Sequence, residues 1–221
     1  MKLPIQAWPA AKAFAFGLAL VPLGRLVAGL TLYPEWLGAN PAEFITRATG
    51  DWTLRFLLLT LAVTPLRKLS GWPELARFRR MLGLYAFFYA VVHLSSYLAF
   101  DHGFDVIDIV KDIAKRPFIS VGFTALVLMT PLAATSTNAI VKRLGAKRWL
   151  ALHKLVYLIA PLGVLHFWWM VKKDVTEPAI YAVILAALLG YRLAVKLAGR
   201  MRAAPAGRPS VNALQVGPQV S

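Results

Sequence analysis

Six stretches of the chain are long and apolar enough to fill a lipid bilayer: Ala13 to Leu32, Trp52 to Leu66, Met81 to Phe100, Phe118 to Ala134, Leu150 to Val171 and Ala179 to Leu197. About 20 helical residues cross the hydrocarbon core, so these stretches predict an all-α membrane protein built as a six-transmembrane-helix bundle. The second and fourth are short, and Arg55 within the second reaches water by extending along its helix. Composition agrees: 58% of the 221 residues are hydrophobic, 16% are charged and mean hydropathy is +0.60, against about 25% charged in a soluble domain. Lys2 and Lys12 precede the first stretch as they would in a signal peptide. Its apolar run is longer than a signal core, however, and Tyr33-Pro34-Glu35-Trp36 offers no small-residue cleavage site, so the stretch is expected to stay as a helix.

Charge orients the bundle. With the N-terminus inside, Arg67, Lys68, Arg77, Arg79, Arg80, Lys142, Arg143, Lys147, Arg148, Lys196 and Arg200 fall on the inner side, and nine of the ten acids, all but Glu74, fall on the outer side. Both termini are therefore expected on the cytoplasmic side. The net charge of +15 then faces anionic lipid, and nucleic-acid binding is not expected. Trp36, Trp52, Trp168 and Trp169 at the outer edge and Trp72 and Trp149 at the inner edge read as an interfacial aromatic belt. The transmembrane domain is taken as residues 1–200, and residues 201–221, rich in Ala, Pro and Gly, as a disordered cytoplasmic tail.

The absence of Cys removes disulfides, thiolate zinc sites and iron–sulfur clusters. Histidine is left. His93 lies in the third stretch, His153 and His166 in the fifth, and an ionisable group inside a membrane segment marks function by default. At 1.5 Å per residue from the inner basic anchors, His93 and His166 lie roughly 20 and 27 Å deep, in the outer half, and His153 only roughly 7.5 Å deep. Two imidazoles facing each other across a bundle suit the axial positions of haem b. A zinc or di-iron site needs further ligands, and the third and fifth stretches hold no Asp or Glu. The competing reading makes each His a hydrogen-bonding group between helices.

His153 poses a difficulty. Thirteen residues at about 100° each put it about 140° from His166 around the helix. Either Pro161 and Gly163 change the helix phase or the two rings face different neighbours. The inner-half residue of the third stretch comparable to His153 is Tyr85, not a histidine.

Thr64-Pro65-Leu66 and Thr130-Pro131-Leu132 each end a stretch, and each is followed by a basic loop (Arg79-Arg80; Lys147-Arg148) and a His-bearing stretch. Either these are coincidentally similar helix ends, or they mark a parallel repeat of two helices, which would set the third and fifth stretches opposite one another. Arg79 and Arg80 are expected either to bind phosphate or propionate oxygens or to act only as orientation signals. Arg25 is a propionate partner or a snorkelling residue, His102 a solvated loop residue. Asp101, Asp105, Asp108 and Asp112, spaced among Val106, Ile109, Val110 and Ile113, predict an amphipathic helix in the outer loop. No G-x-G-x-x-G, P-loop, H-E-x-x-H or G-x-S-x-G motif is present, so electrons must be brought by another component.

Several motifs together resemble the MsrQ (formerly YedZ) family: Leu37 to Ile45, Thr49-Gly50-Asp51-Trp52, Arg79 to Leu84, Lys115-Arg116-Pro117, Leu152 to Tyr157 and Leu165 to Trp169. The similarity is strong from Pro34 to Val171. It implies a ferric-reductase-like transmembrane domain serving as the haem b subunit of a periplasmic methionine-sulfoxide reductase system. It further implies electrons from a cytoplasmic flavin reductase or the quinone pool, delivered to the molybdopterin catalytic subunit MsrP. His93, His153 and His166 match the family's haem-associated histidines, Arg79 and Arg80 the basic pair tied to a cytoplasmic-side cofactor, for which FMN is also reported. One or two haems are expected. Catalysis of Met sulfoxide reduction is expected on the partner, with no catalytic residue here. Two rivals stand beside this reading: an electron carrier for ferric-chelate reduction or another quinol-linked enzyme, and a non-redox membrane scaffold.

Overall fold

A computed structural model describes residues 7–171 and 173–203, and among these residues all regular structure is helical. Nine α-helices follow one another: α1 (Ala7–Thr31), α2 (Pro41–Ser70), α3 (Ala76–Phe100), α4 (Val106–Lys115), α5 (Pro117–Ala134), α6 (Asn138–Leu144), α7 (Ala146–Leu152), α8 (Val156–Met170) and α9 (Thr176–Ala203). The predicted stretches fall mainly on helix, the fifth divided between α7 and α8, and the predicted amphipathic helix is α4. The start and stop signals are local. Asn40 caps α2 by accepting from the Glu43 amide at 3.2 Å while its own amide reaches the Glu43 carboxylate, with Pro41 in the first turn. Gly71, at φ 67°, ends α2 in the left-handed conformation that a side chain disfavours. Asp105 caps α4 through the amides of Ile107 and Asp108.

Five helical segments are long and apolar enough to cross a membrane: α1, α3 with the short turn before it, α5, Ala146–Met170 and α9. They turn much of their apolar surface outward. Phe14 on α1 and Val183 on α9 are 70% and 69% exposed, an arrangement that suits contact with lipid rather than water. The second predicted stretch, within α2, is not among these five: it carries Arg55 and is flanked closely by Asp51, Arg67 and Lys68. The packing gives the reason. α2 is the interior helix, burying Leu54, Phe56, Leu57, Leu58, Leu61 and Val63, and its Arg55 Nε–H donates to Tyr181 of α9 at 2.8 Å.

An aromatic stack at the centre joins α1, α2 and α3. Phe56 lies against Tyr85 and Tyr89 with ring centroids 5.5 and 5.4 Å away. The Tyr89 hydroxyl donates to Ala19 at 2.8 Å and accepts from the Leu23 amide at 3.2 Å. It thus stands between two groups that would pair directly in a regular turn, beside Pro22. Tyr85 donates to Phe16 at 3.0 Å. These hydroxyls fasten α1, whose packing is otherwise apolar.

Two aromatic expectations are corrected. Trp52 packs on the core beside Phe56 and Tyr89, and Trp149 turns inward, its indole N–H donating to Thr135 at 3.0 Å. Both have neighbours that use their ring or N–H better than an interface would. Trp36, Trp168 and Trp169 remain exposed. At the far end, α9 continues to Ala203, past the expected boundary at residue 200. The rest of the predicted tail lies outside the described residues.

Candidate haem site and inner cavity

The first site lies where the N-terminal part of α2 meets α3, and where the N-terminal part of α5 meets α8. His93 of α3 and His166 of α8 face each other with ring centroids 6.1 Å apart and planes at 75°. Each ring is held from behind by a neighbouring helix. The His93 Nδ1–H donates to the Thr46 carbonyl of α2 at 2.8 Å, and the His166 Nδ1–H donates to the Phe118 carbonyl of α5 at 2.6 Å. A carbonyl only accepts, so Nδ1 carries the hydrogen and each Nε2 is left as a free lone pair.

Glycine makes this close approach feasible. Four residues beyond Thr46 stands Gly50, where an added Cβ would sit 3.1 Å from the His93 ring. Four residues beyond Phe118 stands Gly122, where it would sit 2.6 Å from His166 Nδ1. The same unit therefore occurs twice: a helix carbonyl, a glycine one turn on, and an imidazole from the next long helix laid across them. This recurrence bears out the two-helix repeat expected from the Thr-Pro-Leu and basic-loop pattern, and it brings the third and fifth stretches face to face.

The pair fits an axially ligated iron. Two metal–nitrogen bonds of about 2 Å, plus half a ring on each side, would separate the centroids by about 6 Å, and the observed separation is 6.1 Å, so His93 and His166 could hold such a metal between them. Among the described residues no third His, Cys, Asp or Glu joins the pair to complete a zinc or di-iron set.

The second site is a cavity of about 450 Å³ at the opposite end of the bundle, between α2, α3, α5, α8 and α9. His153, Arg79 and Arg80 line it together, with Trp149, Phe87 and Met129 among the apolar residues. His153 is not on the same helix as His166. α7 ends at Leu152, a 3₁₀ turn runs from His153 to Leu155, and α8 starts at Val156. That break, rather than Pro161, sets the phase; α8 passes through Pro161 as a continuous helix. The two rings face different neighbours, the second of the two expected arrangements. His153 stacks on Trp149 with centroids 3.9 Å apart, and its Nδ1–H donates to the Trp149 carbonyl at 3.0 Å. A second backbone group, that of Leu132, lies within hydrogen-bond reach of the ring, and no second imidazole lines the cavity. The Arg80 guanidinium bonds Asn138.

Two further expectations change. His102 is not solvated: its Nε2 lies 2.9 Å from the Tyr97 hydroxyl and 3.1 Å from Asp112, and Arg116 Nε donates to the same carboxylate at 2.8 Å. Tyr97 also donates to Asp112 at 2.8 Å, so this cluster fastens α4 to α3. Burial raises the Asp112 carboxyl, but these hydrogen bonds and the Arg116 charge outweigh it and hold the group below its ordinary range. Arg25 is exposed, as the snorkelling alternative has it. Gly50, Gly122 and the Thr46 and Phe118 carbonyls were missed in the sequence. The signal for them was a glycine in the first half of a long helix, twice.

Residues 49–164 match the family model described as ferric reductase like transmembrane component. A protein of Polaromonas naphthalenivorans named protein-methionine-sulfoxide reductase heme-binding subunit MsrQ is 60% identical over 196 residues, covering 85% of this chain and 87% of its own. Proteins of the same name from Herminiimonas arsenicoxydans and Ralstonia nicotianae are 59% and 56% identical, over 82% and 86% of this chain and 84% and 88% of theirs. On these matches, the chain belongs to the MsrQ family and shares the ferric-reductase-like transmembrane domain.

Proposed function

We propose that this chain is a membrane cytochrome b that carries electrons from a cytoplasmic flavin reductase or the quinone pool to a periplasmic methionine-sulfoxide reductase subunit of the MsrP type. All six predicted stretches cross the inner membrane in this reading, α2 shielded within the bundle, with both termini in the cytoplasm. His93 and His166 hold one haem b at the outer end. With both axial positions filled, such an iron exchanges single electrons and does not bind oxygen.

The observation that carries the reading is the hydrogen bonding of the imidazoles. Both Nδ1–H groups donate to backbone carbonyls of separate helices, which fixes each ring's tautomer and keeps Nε2 available before any cofactor arrives. A histidine serving only to tie helices together gains nothing from a facing partner 6.1 Å away. The glycines supply the clearance. Thr46 and Phe118 set the ring orientation, and the apolar side chains around the pair exclude water.

At the inner end, His153, Arg79 and Arg80 hold a second cofactor. A flavin mononucleotide suits this cavity better than a second bis-histidine haem, because His153 has no imidazole opposite it and the basic residues match a phosphate. Electrons thus enter at the inner cavity and leave at the outer face, where substrate chemistry belongs to the partner.

The test is spectroscopic. Protein purified after expression with ample haem supply is expected to show a Soret band and about one haem per chain by pyridine haemochrome. Dithionite-reduced protein is expected to be reoxidised by the MsrP-type subunit with methionine sulfoxide, and only slowly by ferric citrate. A colourless preparation would leave the scaffold reading ahead. Equal reoxidation by ferric citrate without the subunit favours the ferric-chelate alternative.

A further inference from the structure

Arg192 lies in the middle of α9, inside the last predicted membrane stretch, and no carboxylate among the described residues is within ion-pair distance of it. An uncompensated guanidinium at that depth costs several kcal/mol and calls for a function. Its Nη1–H donates to the Tyr157 hydroxyl at 2.9 Å, and its Nη2–H donates to the Leu61 carbonyl of α2. That carbonyl is free for a reason written in the sequence. Its regular partner would be the amide of residue 65, and Pro65 has none. The proline of the Thr-Pro-Leu motif thus presents an acceptor that pulls Arg192 off the lipid face to the wall of the inner cavity, which it lines with Arg79, Arg80 and Lys154. The Arg192 Nε is the one buried side-chain nitrogen or oxygen among the described residues without a hydrogen-bond partner. Arg79, Arg80 and Lys154 likewise have no carboxylate partner among these residues.

Four cations converge on one cavity, with neutral acceptors holding Arg192 and Arg80 in place. We infer that Arg192 is a third guanidinium of a phosphate-monoester site in the inner cavity, and that it makes the site select a phosphorylated ring compound over the same ring without phosphate. The inference rests on the reading of this cavity as a cofactor site and names the residue that gives it its anion preference. Arginine suits the task because its planar fork meets phosphate oxygens in pairs, whereas lysine offers a point charge.

The experiment uses the full-length, haem-loaded protein in detergent, titrated with FMN and with riboflavin and followed by flavin fluorescence quenching. Wild type is expected to bind FMN well above riboflavin, and inorganic phosphate is expected to compete with FMN. Arg192→Gln is expected to weaken FMN by about ten-fold and riboflavin by less than about two-fold. Arg192→Lys is expected to fall between. The Soret band, reporting the distant outer pair, is expected to be unchanged and serves as the folding control. Tyr157→Phe, which removes one acceptor and no charge, is expected to weaken FMN by about two- to four-fold, a check that remains if Arg192→Gln does not fold. Equal FMN affinity in wild type, Arg192→Gln and Tyr157→Phe overturns the inference while leaving the cavity a flavin site. Wild type that binds neither FMN nor phosphate overturns the cavity reading and this inference with it.

Discussion

The two ends of the bundle use histidine in opposite ways. At one end, two imidazoles lie against helices that have surrendered side chains to receive them, and no cation enters the pair. At the other, one imidazole leans on a tryptophan of its own segment and borders an open cavity with Arg79, Arg80, Lys154 and Arg192 around it. The first site is defined by what is fixed and the second by what is charged. A closed pair with both rings anchored suits a permanently held group, whereas an open cationic cavity suits one that is exchanged or receives electrons from a soluble donor.

If this contrast is right, removing a ligand at the closed end has the largest effect. His93→Ala and His166→Ala are each expected to abolish most haem retention, read from the Soret band of purified protein, whereas His153→Ala is expected to retain the larger part of it. Equal loss in all three would break the contrast. Next come the glycines. Gly122→Ala places a methyl 2.6 Å from His166 Nδ1 and Gly50→Ala one 3.1 Å from the His93 ring, and both ring positions are backed by helix, so little can give. Haem occupancy is expected to fall by several-fold in Gly122→Ala and less in Gly50→Ala, with an altered low-spin EPR signal in the haem that remains. The reverse order would show that the two halves are not held alike.

At the open end, Arg79→Gln with Arg80→Gln is expected to leave the Soret band intact and to slow reduction by a flavin reductase, by about ten-fold if both cations act on phosphate. The smallest expected effect lies outside both sites. Asp112→Asn is expected to cost about 1 kcal/mol, seen as a lower thermal midpoint at neutral pH. Because the folded Asp112 carboxyl titrates below its ordinary range, its stabilisation is present at neutral pH and is lost as pH falls through the acid range. The variant's midpoint should therefore decline less than the wild type's on acidification below about pH 4. Parallel curves would remove Asp112 from the account of how α4 is held.

Much of this contrast was legible without coordinates. Counting depth from the basic anchors placed His93 and His166 in the same half of the bundle and His153 in the other, because helical rise is nearly constant. The Asn40-Pro41-x-Glu43 start of α2 and the amphipathic period of α4 were equally local, and local signals survive folding. What could not be read were relations between helices. Gly50 and Gly122 look like ordinary weak points of a helix until a ring from another helix is seen lying on them. His153 falls at a 3₁₀ turn that no Pro or Gly announces. His102 looks like a loop residue, and only the return of Asp112 over it buries it. Trp52 and Trp149 have the belt's composition and position, and what they pack against decided otherwise.

The interior place of α2 also bears on how the chain is made. Its Arg55 is satisfied by Tyr181, and the carbonyl that Pro65 exposes is satisfied by Arg192, both on a helix synthesised more than a hundred residues later. Through most of translation, then, these two groups of α2 lack the partners that α9 brings, and the last helix is what completes the interior.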